Sequence, residues 1–467
     1  MSLLRSKIVQ KPYQLFHYYF LSEQAPDSSL ANLSFETDIS ITINKFKNHR
    51  WKRNEIAHYG FLSSVILFVF FIFPASFLIK LPILSVFGLC FLVPLTSQFF
   101  LHALPVFSWL ALFFTCGKIP EEWKPAISVK FLPAMETILY GDNLSNVLAT
   151  ITTPTLDILA WLPYGLVHFV FPFVVAALIF VFGPPTALNS FGFAFGYLNL
   201  VGVLIQICLP AAAPWYKNLY GLQPANYSMS GSPGGLGRID DILGFDMYTT
   251  AFSNSPMIFG AFPSLHSACA IMDVLFLSWL FPSLTVAWWG YGCWLWWSTM
   301  YLTHHYFFDL TSGALLSISV FTYTKYVHLP VMDRTKFCRW SYTEIPKVNI
   351  NQMNPLTFNF NNDYVYNDLE NQQPDILLSN PYQQSSSSSS GQPQSSLGIE
   401  LENYSRSRQS SKVFLPQASG LPTIEDEETS SFDNSATTSV FDEVEQLSTI
   451  HFNTSLEDYD KRKPKKH

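Results

Sequence analysis

Polar and apolar positions divide the chain into three parts. Residues 1–56 are polar and basic, without a sustained apolar run. Apolar segments then follow at about 60–79, 82–100 and 102–116, and again at about 157–183, 187–209, 257–281, 285–303 and 306–326. The later runs are near the roughly 20 residues that a helix needs to cross the hydrocarbon core. Lys80 and Pro82 mark a tight turn between the first two segments, and the mixed stretch 117–156 reads as interfacial. From about residue 345 the apolar period is lost, Asn and Gln rise, and Ser385 to Ser390 form a homopolymeric run. The expected architecture is an all-α polytopic membrane bundle of six to eight apolar segments. It comprises a basic cytosolic arm (1–56), a membrane domain (57–330) and a cytosolic, mostly disordered tail (331–467).

Composition agrees with this pattern. The 467 residues are 49% hydrophobic and 16% aromatic but only 13% charged, as a membrane protein requires. The net charge of −7 is uneven, and no nucleic-acid footprint is present. Lys45, Lys47, Arg50, Lys52 and Arg53 precede the first run, while Lys325, Arg334, Lys336 and Arg339 follow the last. The positive-inside rule therefore puts both termini in the cytosol. Counting back through the last three spans places residues 304–306, the start of the 257–281 span and the loop 210–256 on the opposite, non-cytosolic face. Either one or three crossings before residue 157 satisfy this parity. The first thirty residues lack the apolar core and cleavage site of a signal peptide. Six scattered cysteines, Cys90, Cys116, Cys208, Cys269, Cys293 and Cys338, read as buried thiols.

Two histidine-bearing segments sit at the edges of these runs: Phe259–Ser267, with Pro263-Ser264-Leu265-His266, and His304–Asp309. Ionisable groups are costly there, so their placement points to use. His305 and Asp309 are four apart at the start of a helical run and share a face. A carboxylate on one imidazole nitrogen fixes the tautomer and leaves the other free to attack, which makes His305 the candidate nucleophile. His304 lacks a carboxylate at that spacing and reads as a neighbour. His266, at the mouth of another helix, is the candidate general acid and base. Small residues beside it, Gly260, Ser264 and Ser267, let a phosphate approach the helix N-terminus. Asp240 and Asp241 are adjacent and without a further carboxylate, so no metal site is expected.

Pro-Ser-Leu-His266 and His305-x-x-x-Asp309 resemble the second and third motifs of the type 2 phosphatidic acid phosphatase superfamily. The resemblance implies a six-helix phosphatase-like catalytic core and metal-free, cofactor-free transfer through a phosphohistidine. It also implies the same roles for His305, Asp309 and His266. The chain departs from the superfamily where Ser-Arg usually opens the third motif, since Ser298 and Thr299 stand there, and the first motif with its Lys and Arg is not visible. Such losses resemble the branch that transfers lipid headgroups.

Gly141–Asn146, Trp161-Leu162-Pro163-Tyr164-Gly165, Pro214–Asn218 and Gly231–Asp240 are similar to fungal inositol phosphorylceramide synthases, over about residues 1–345. That similarity implies transfer of phosphoinositol from phosphatidylinositol to ceramide in the Golgi lumen, with release of diacylglycerol. It further implies a small membrane regulatory subunit and sensitivity to aureobasidin-type antifungals. Lys217 and Arg238 are then candidates for the missing phosphate-binding arginine.

Two other readings stand beside this one. A lipid phosphate phosphatase would use water in place of ceramide, and a non-catalytic membrane scaffold would need neither histidine. Asn226-Tyr227-Ser228 forms a glycosylation sequon on the far face, and Arg406–Ser411 resembles a basophilic kinase site. Lys463, Lys465 and Lys466 stand where retrieval signals place lysines.

Overall fold

The computed structural model describes residues 7–345, and the expectations for the tail beyond 345 lie outside the described residues. The described chain is helical, with no strand; isolated bridges join Ser128 to Ala211 and Ala211 to Gly260. The N-terminal arm is more structured than its polarity suggested. It carries α1 (Lys7–Tyr19) and α2 (Ile39–Asn48), the latter capped by the Asp38 side chain on the Ser40 N–H.

The membrane part begins with α3 (Arg53–Ile72), α4 (Phe77–Leu92), α5 (Pro94–Phe100) and α6 (Leu104–Cys116). The expected turn at Lys80 and Pro82 is displaced. The chain breaks instead at Phe73–Ser76, around Pro74, while Pro82 lies inside α4 and Lys80 Nζ reaches back 2.6 Å to the Phe70 carbonyl. Helices α4 and α5 meet at 100°, so the expected span 82–100 is a bent pair hinged at Pro94. Next come the short α7 (Phe131–Tyr140) and α8 (Leu144–Ala149). The following span has two parts, α9 (Pro154–Trp161) and α10 (His168–Phe182), joined by a π-helical turn at Leu162–Val167. Then come α11 (Ala187–Cys208), α12 (Pro214–Tyr220), α13 (Gly237–Leu243) and α14 (Tyr248–Ser253), and finally α15 (Leu265–Leu280), α16 (Thr285–Tyr301) and α17 (Phe307–Val327).

Among the described residues, three helices are long and apolar enough to cross a membrane: α3, the α9–α10 unit and α11. The α4–α5 pair makes a fourth if it counts as one span. Helices α6, α15 and α16 are shorter than the expected spans, because loop residues take up the start of the first two apolar runs and the end of the third.

Helix α15 is the hub, packed by α10, α11, α16 and α17, while α6 lies along α11. Its buried side chains Ala268, Met272, Phe276 and Leu277 interlock with Phe191, Ala194 and Leu198 of α11 and Phe321 of α17. Burying such side chains contributes roughly 1.5–3 kcal/mol each in water, but in lipid their role is close packing. Gly313 permits the approach of α17, since a β-carbon there would collide with the Ser264 carbonyl. Among the cysteines, Cys116, Cys269 and Cys338 are buried and Cys90 is half-buried, but Cys208 and Cys293 are exposed at the helix surface, against expectation. After α17 the chain returns to the N-terminal arm, where Cys338 and Trp340 pack with Phe20, Leu21 and Phe180.

Candidate active site

Tight backbone geometry delivers the second histidine segment. Helix α16 ends at Tyr301, and Thr303 takes a left-handed conformation (φ 62°), unusual for a β-branched residue and typical of strained functional turns. The reversal brings the N–H groups of His304 and His305 to one acceptor, the Thr299 carbonyl, at 2.9 and 3.3 Å. Helix α17 then starts at Phe307 and carries Asp309 in its first turn.

The first segment meets it from the other side. Ser264 caps α15 by accepting from the Ser267 N–H, and the Ser264 N–H donates 3.1 Å to the Asp309 carbonyl. Gln206 of α11 supports the approach, donating to the Gly260 and Pro263 carbonyls at 2.8 and 3.0 Å. The two helix starts are thereby locked together, and three side chains form a line. His305 Nδ1 lies 3.1 Å from Asp309 Oδ2, and His305 Nε2 lies 3.0 Å from His266 Nδ1. Asp309 is fully buried, His305 is nearly so, and His266 is partly open. With Asp309 accepting from Nδ1–H, His305 Nε2 is left as an acceptor, and His266 donates to it through Nδ1–H. An unprotonated nitrogen beside a proton donor can attack phosphorus and supply a proton to the leaving oxygen.

His304 is directed elsewhere, with its Nε2 2.8 Å from the Pro233 carbonyl. That contact belongs to the glycine-rich loop, which lies on the end of α16: Gly235 N–H donates to Leu302 O at 2.9 Å, and Gly234 (φ 52°) has no room for a side chain against Leu302 and Thr303.

The four expected substrate-binding residues fall differently. Arg238 is already paired, its Nη2 and Nε donating to Asp157 Oδ1 at 2.6 and 2.9 Å, with the Tyr301 hydroxyl on the same oxygen at 2.9 Å. Ser264 and Ser267 are buried, and their hydroxyls are engaged in the α15 cap and in a 2.6 Å bond to the Leu310 carbonyl. In this structure the polar atoms of Arg238, Ser264 and Ser267 serve the scaffold. Lys217 is half-buried on α12. Burial lowers its ammonium below the ordinary lysine value, and the nearby Asp142 carboxylate opposes this.

Several residues around the site take roles that the sequence did not assign to them. Glu136 of α7 is fully buried and accepts the Phe307 and Phe308 N–H groups at 3.3 and 3.2 Å, capping α17 beside the histidines. Asp240 accepts from the Met247, Tyr248 and Thr249 N–H groups and so caps α14. Tyr164 and His168 place their rings 4.7 and 4.9 Å from that of His266. An ionisable residue inside an apolar run was a usable signal for His168. Glu136 had none, because its partner lies 171 residues away.

The helical bundle presents a carboxylate–histidine–histidine line at paired helix starts, and residues 130–323 match the PAP2 superfamily. The chain is 61% identical to the inositol phosphorylceramide synthase of Candida albicans, over 99% of both chains. It is 54% identical to the inositol phosphorylceramide synthase catalytic subunit AUR1 of Saccharomyces cerevisiae, over 74% of this chain and 86% of that one. The corresponding catalytic subunit of Schizosaccharomyces pombe is 45% identical, over 64% and 71% of the two chains. The chain belongs to the inositol phosphorylceramide synthase family. No solved structure matches it.

Proposed function

We propose that this synthase transfers phosphoinositol from phosphatidylinositol to ceramide through a phosphohistidine at His305. The observation that carries the reading is the continuous line Asp309–His305–His266, with links of 3.1 and 3.0 Å. On entry, the phosphodiester displaces the His266 hydrogen bond from His305 Nε2. An Nε2–P bond forms, the P–O bond to diacylglycerol breaks, and His266 gives its proton to the departing oxygen. His266 then takes the proton of the ceramide primary hydroxyl as that oxygen attacks phosphorus, and the Nε2–P bond breaks. Asp309 holds the Nδ1–H tautomer and stabilises the charge on His305.

The finer setting follows the same reading. The charge pattern around the apolar segments supports a luminal site with both termini cytosolic, and the family resemblance supports a Golgi membrane and inhibition by aureobasidin A. The phrase "catalytic subunit" in two relatives' names supports a small membrane partner. The domain limits 57–330 and 331–467 remain our proposal, with one shift: α3 starts at Arg53.

The decisive assay uses purified protein and phosphatidylinositol labelled in the inositol, with and without ceramide. A labelled, ceramide-dependent lipid is expected. Release of water-soluble inositol phosphate independent of ceramide would instead favour a phosphatase.

A further inference from the structure

The departing and attacking oxygens are served by His266, but the two non-bridging oxygens on phosphorus also need partners, and the candidate arginine, Arg238, is already paired. Arg238 is committed to Asp157, and the rings packed against His266 are those of Tyr164, His168 and His305. Neutral donors beside the histidines are another way to hold these oxygens.

The π-helical turn offers one. At Leu162–Val167 the chain leaves the α-helical path, and the His168 N–H reaches the Pro163 carbonyl, five residues back. In the wider π turn, residues four apart come close to the same side, and such turns recur at functional sites. Tyr164 and His168 accordingly both face the cluster. The Tyr164 ring lies 4.7 Å from His266 and 5.3 Å from His304, and His168 lies 4.9 Å from His266. The far loop holds this turn, with Trp161 Nε1 donating to the Tyr248 hydroxyl at 2.5 Å and that hydroxyl donating to the Gly165 carbonyl at 3.3 Å. Asp240 in turn fixes Tyr248 through its backbone N–H.

The Tyr164 hydroxyl itself has no partner. The residue is 3% exposed and its oxygen is buried. A buried hydroxyl without a partner costs about 1–3 kcal/mol, which a bound acceptor would recover. His168, like His266, remains partly open.

We propose that Tyr164 and His168 are the phosphate-binding residues of this site, donating an O–H and an N–H to the non-bridging oxygens of the lipid phosphodiester. Both donors are neutral. A phosphodiester carries one negative charge and a phosphomonoester close to two, so neutral donors suit the former and leave the latter's second charge unmatched. The arrangement thereby selects headgroup-bearing lipids over phosphatidic acid. This rests on the phosphoinositol-transfer reading above.

Four variants of the full chain test it: Tyr164→Phe, His168→Leu, His168→Gln and His168→Arg. Each is assayed for ceramide-dependent transfer from labelled phosphatidylinositol and for phosphate release from phosphatidic acid, with thermal denaturation in detergent alongside. Tyr164→Phe keeps the ring contacts and is expected to lower kcat/KM for transfer by roughly 10²-fold, the usual size for one lost transition-state donor, with a midpoint no lower than that of the wild type. His168→Gln, which retains an N–H donor, should keep at least about tenfold more activity than His168→Leu. His168→Arg should raise the ratio of phosphatidic acid cleavage to transfer. Wild-type kcat/KM in both Tyr164→Phe and His168→Leu overturns the assignment, and so does equal loss in His168→Gln and His168→Leu. An unchanged ratio in His168→Arg overturns the charge selection. If Tyr164→Phe is unstable, the three His168 variants decide. Failure of the underlying reading would look different, because wild-type protein would then make no ceramide-dependent product.

Discussion

Asp157 and Arg238 form an ion pair across 81 residues, with Nη2 and Nε of the guanidinium 2.6 and 2.9 Å from a single carboxylate oxygen. The carboxylate side chain is 5% exposed and the guanidinium 35%. The pair joins the glycine-rich loop to α9, and through the Tyr301 hydroxyl to α16. Arg238→Leu leaves Asp157 with Tyr301 alone. Because Arg238 is partly solvated, the loss is discounted from the buried-pair range to about 1–2 kcal/mol. A lower thermal midpoint and faster hydrogen exchange over residues 231–243 are expected together with reduced activity. Loss of activity without either change would return Arg238 to phosphate binding.

The catalytic line makes the sharpest prediction. His305→Ala, His266→Ala and Asp309→Ala should each abolish ceramide-dependent transfer while the protein still reaches the membrane. Asp309→Asn should lower kcat by about 10²- to 10⁴-fold, because an amide no longer stabilises the imidazolium. Transfer assays on membranes matched for protein level by immunoblot provide the measurement, and full activity in His305→Ala would sink the mechanism.

Glu136 links stability to pH. Burial raises its carboxyl above the ordinary carboxylate value, and the Phe308 and Phe307 N–H groups pull it partly back. The folded chain thus keeps this proton after the unfolded chain has lost it. The resulting stabilisation is complete below the ordinary carboxylate value and fades as pH rises through the folded value. Glu136→Gln removes the titration, so the midpoint difference between wild type and variant should shift in the wild type's disfavour across that window and level off above it. Glu136→Ala strips two N–H groups of their acceptor and should cost about 1–3 kcal/mol, with loss of transfer because α17 carries Asp309.

Topology can be read with thiol reagents. Asn226 is exposed in the loop after α12, and Ser283 lies between α15 and α16. In a background without native cysteines, Ser283→Cys should react with an impermeant maleimide added from the cytosolic side. Asn226→Cys should react only after the membrane is opened. Reversed labelling would invert the proposed orientation.

Local information in the chain determined the helical membrane class, the apolar segments and the relation of His305 to Asp309. The first two rest on hydrophobic period and the third on a four-residue spacing, although the structure places His305 in the turn just before α17 and Asp309 in that helix's first turn. His266 was recognisable as a helix-mouth histidine on the same face. Its 3.0 Å contact with His305 exists because Gly313 lets α17 approach and because Ser264 N–H bonds the Asp309 carbonyl. Only the tertiary structure could direct Arg238 to Asp157, Ser267 to Leu310 and Glu136 to the start of α17. It also brought Tyr164 and His168 to the site by way of a π turn that Tyr248 holds from a distant loop. Every one of these contacts joins positions at least 43 residues apart, where helical periodicity carries no information and packing decides which polar atoms meet.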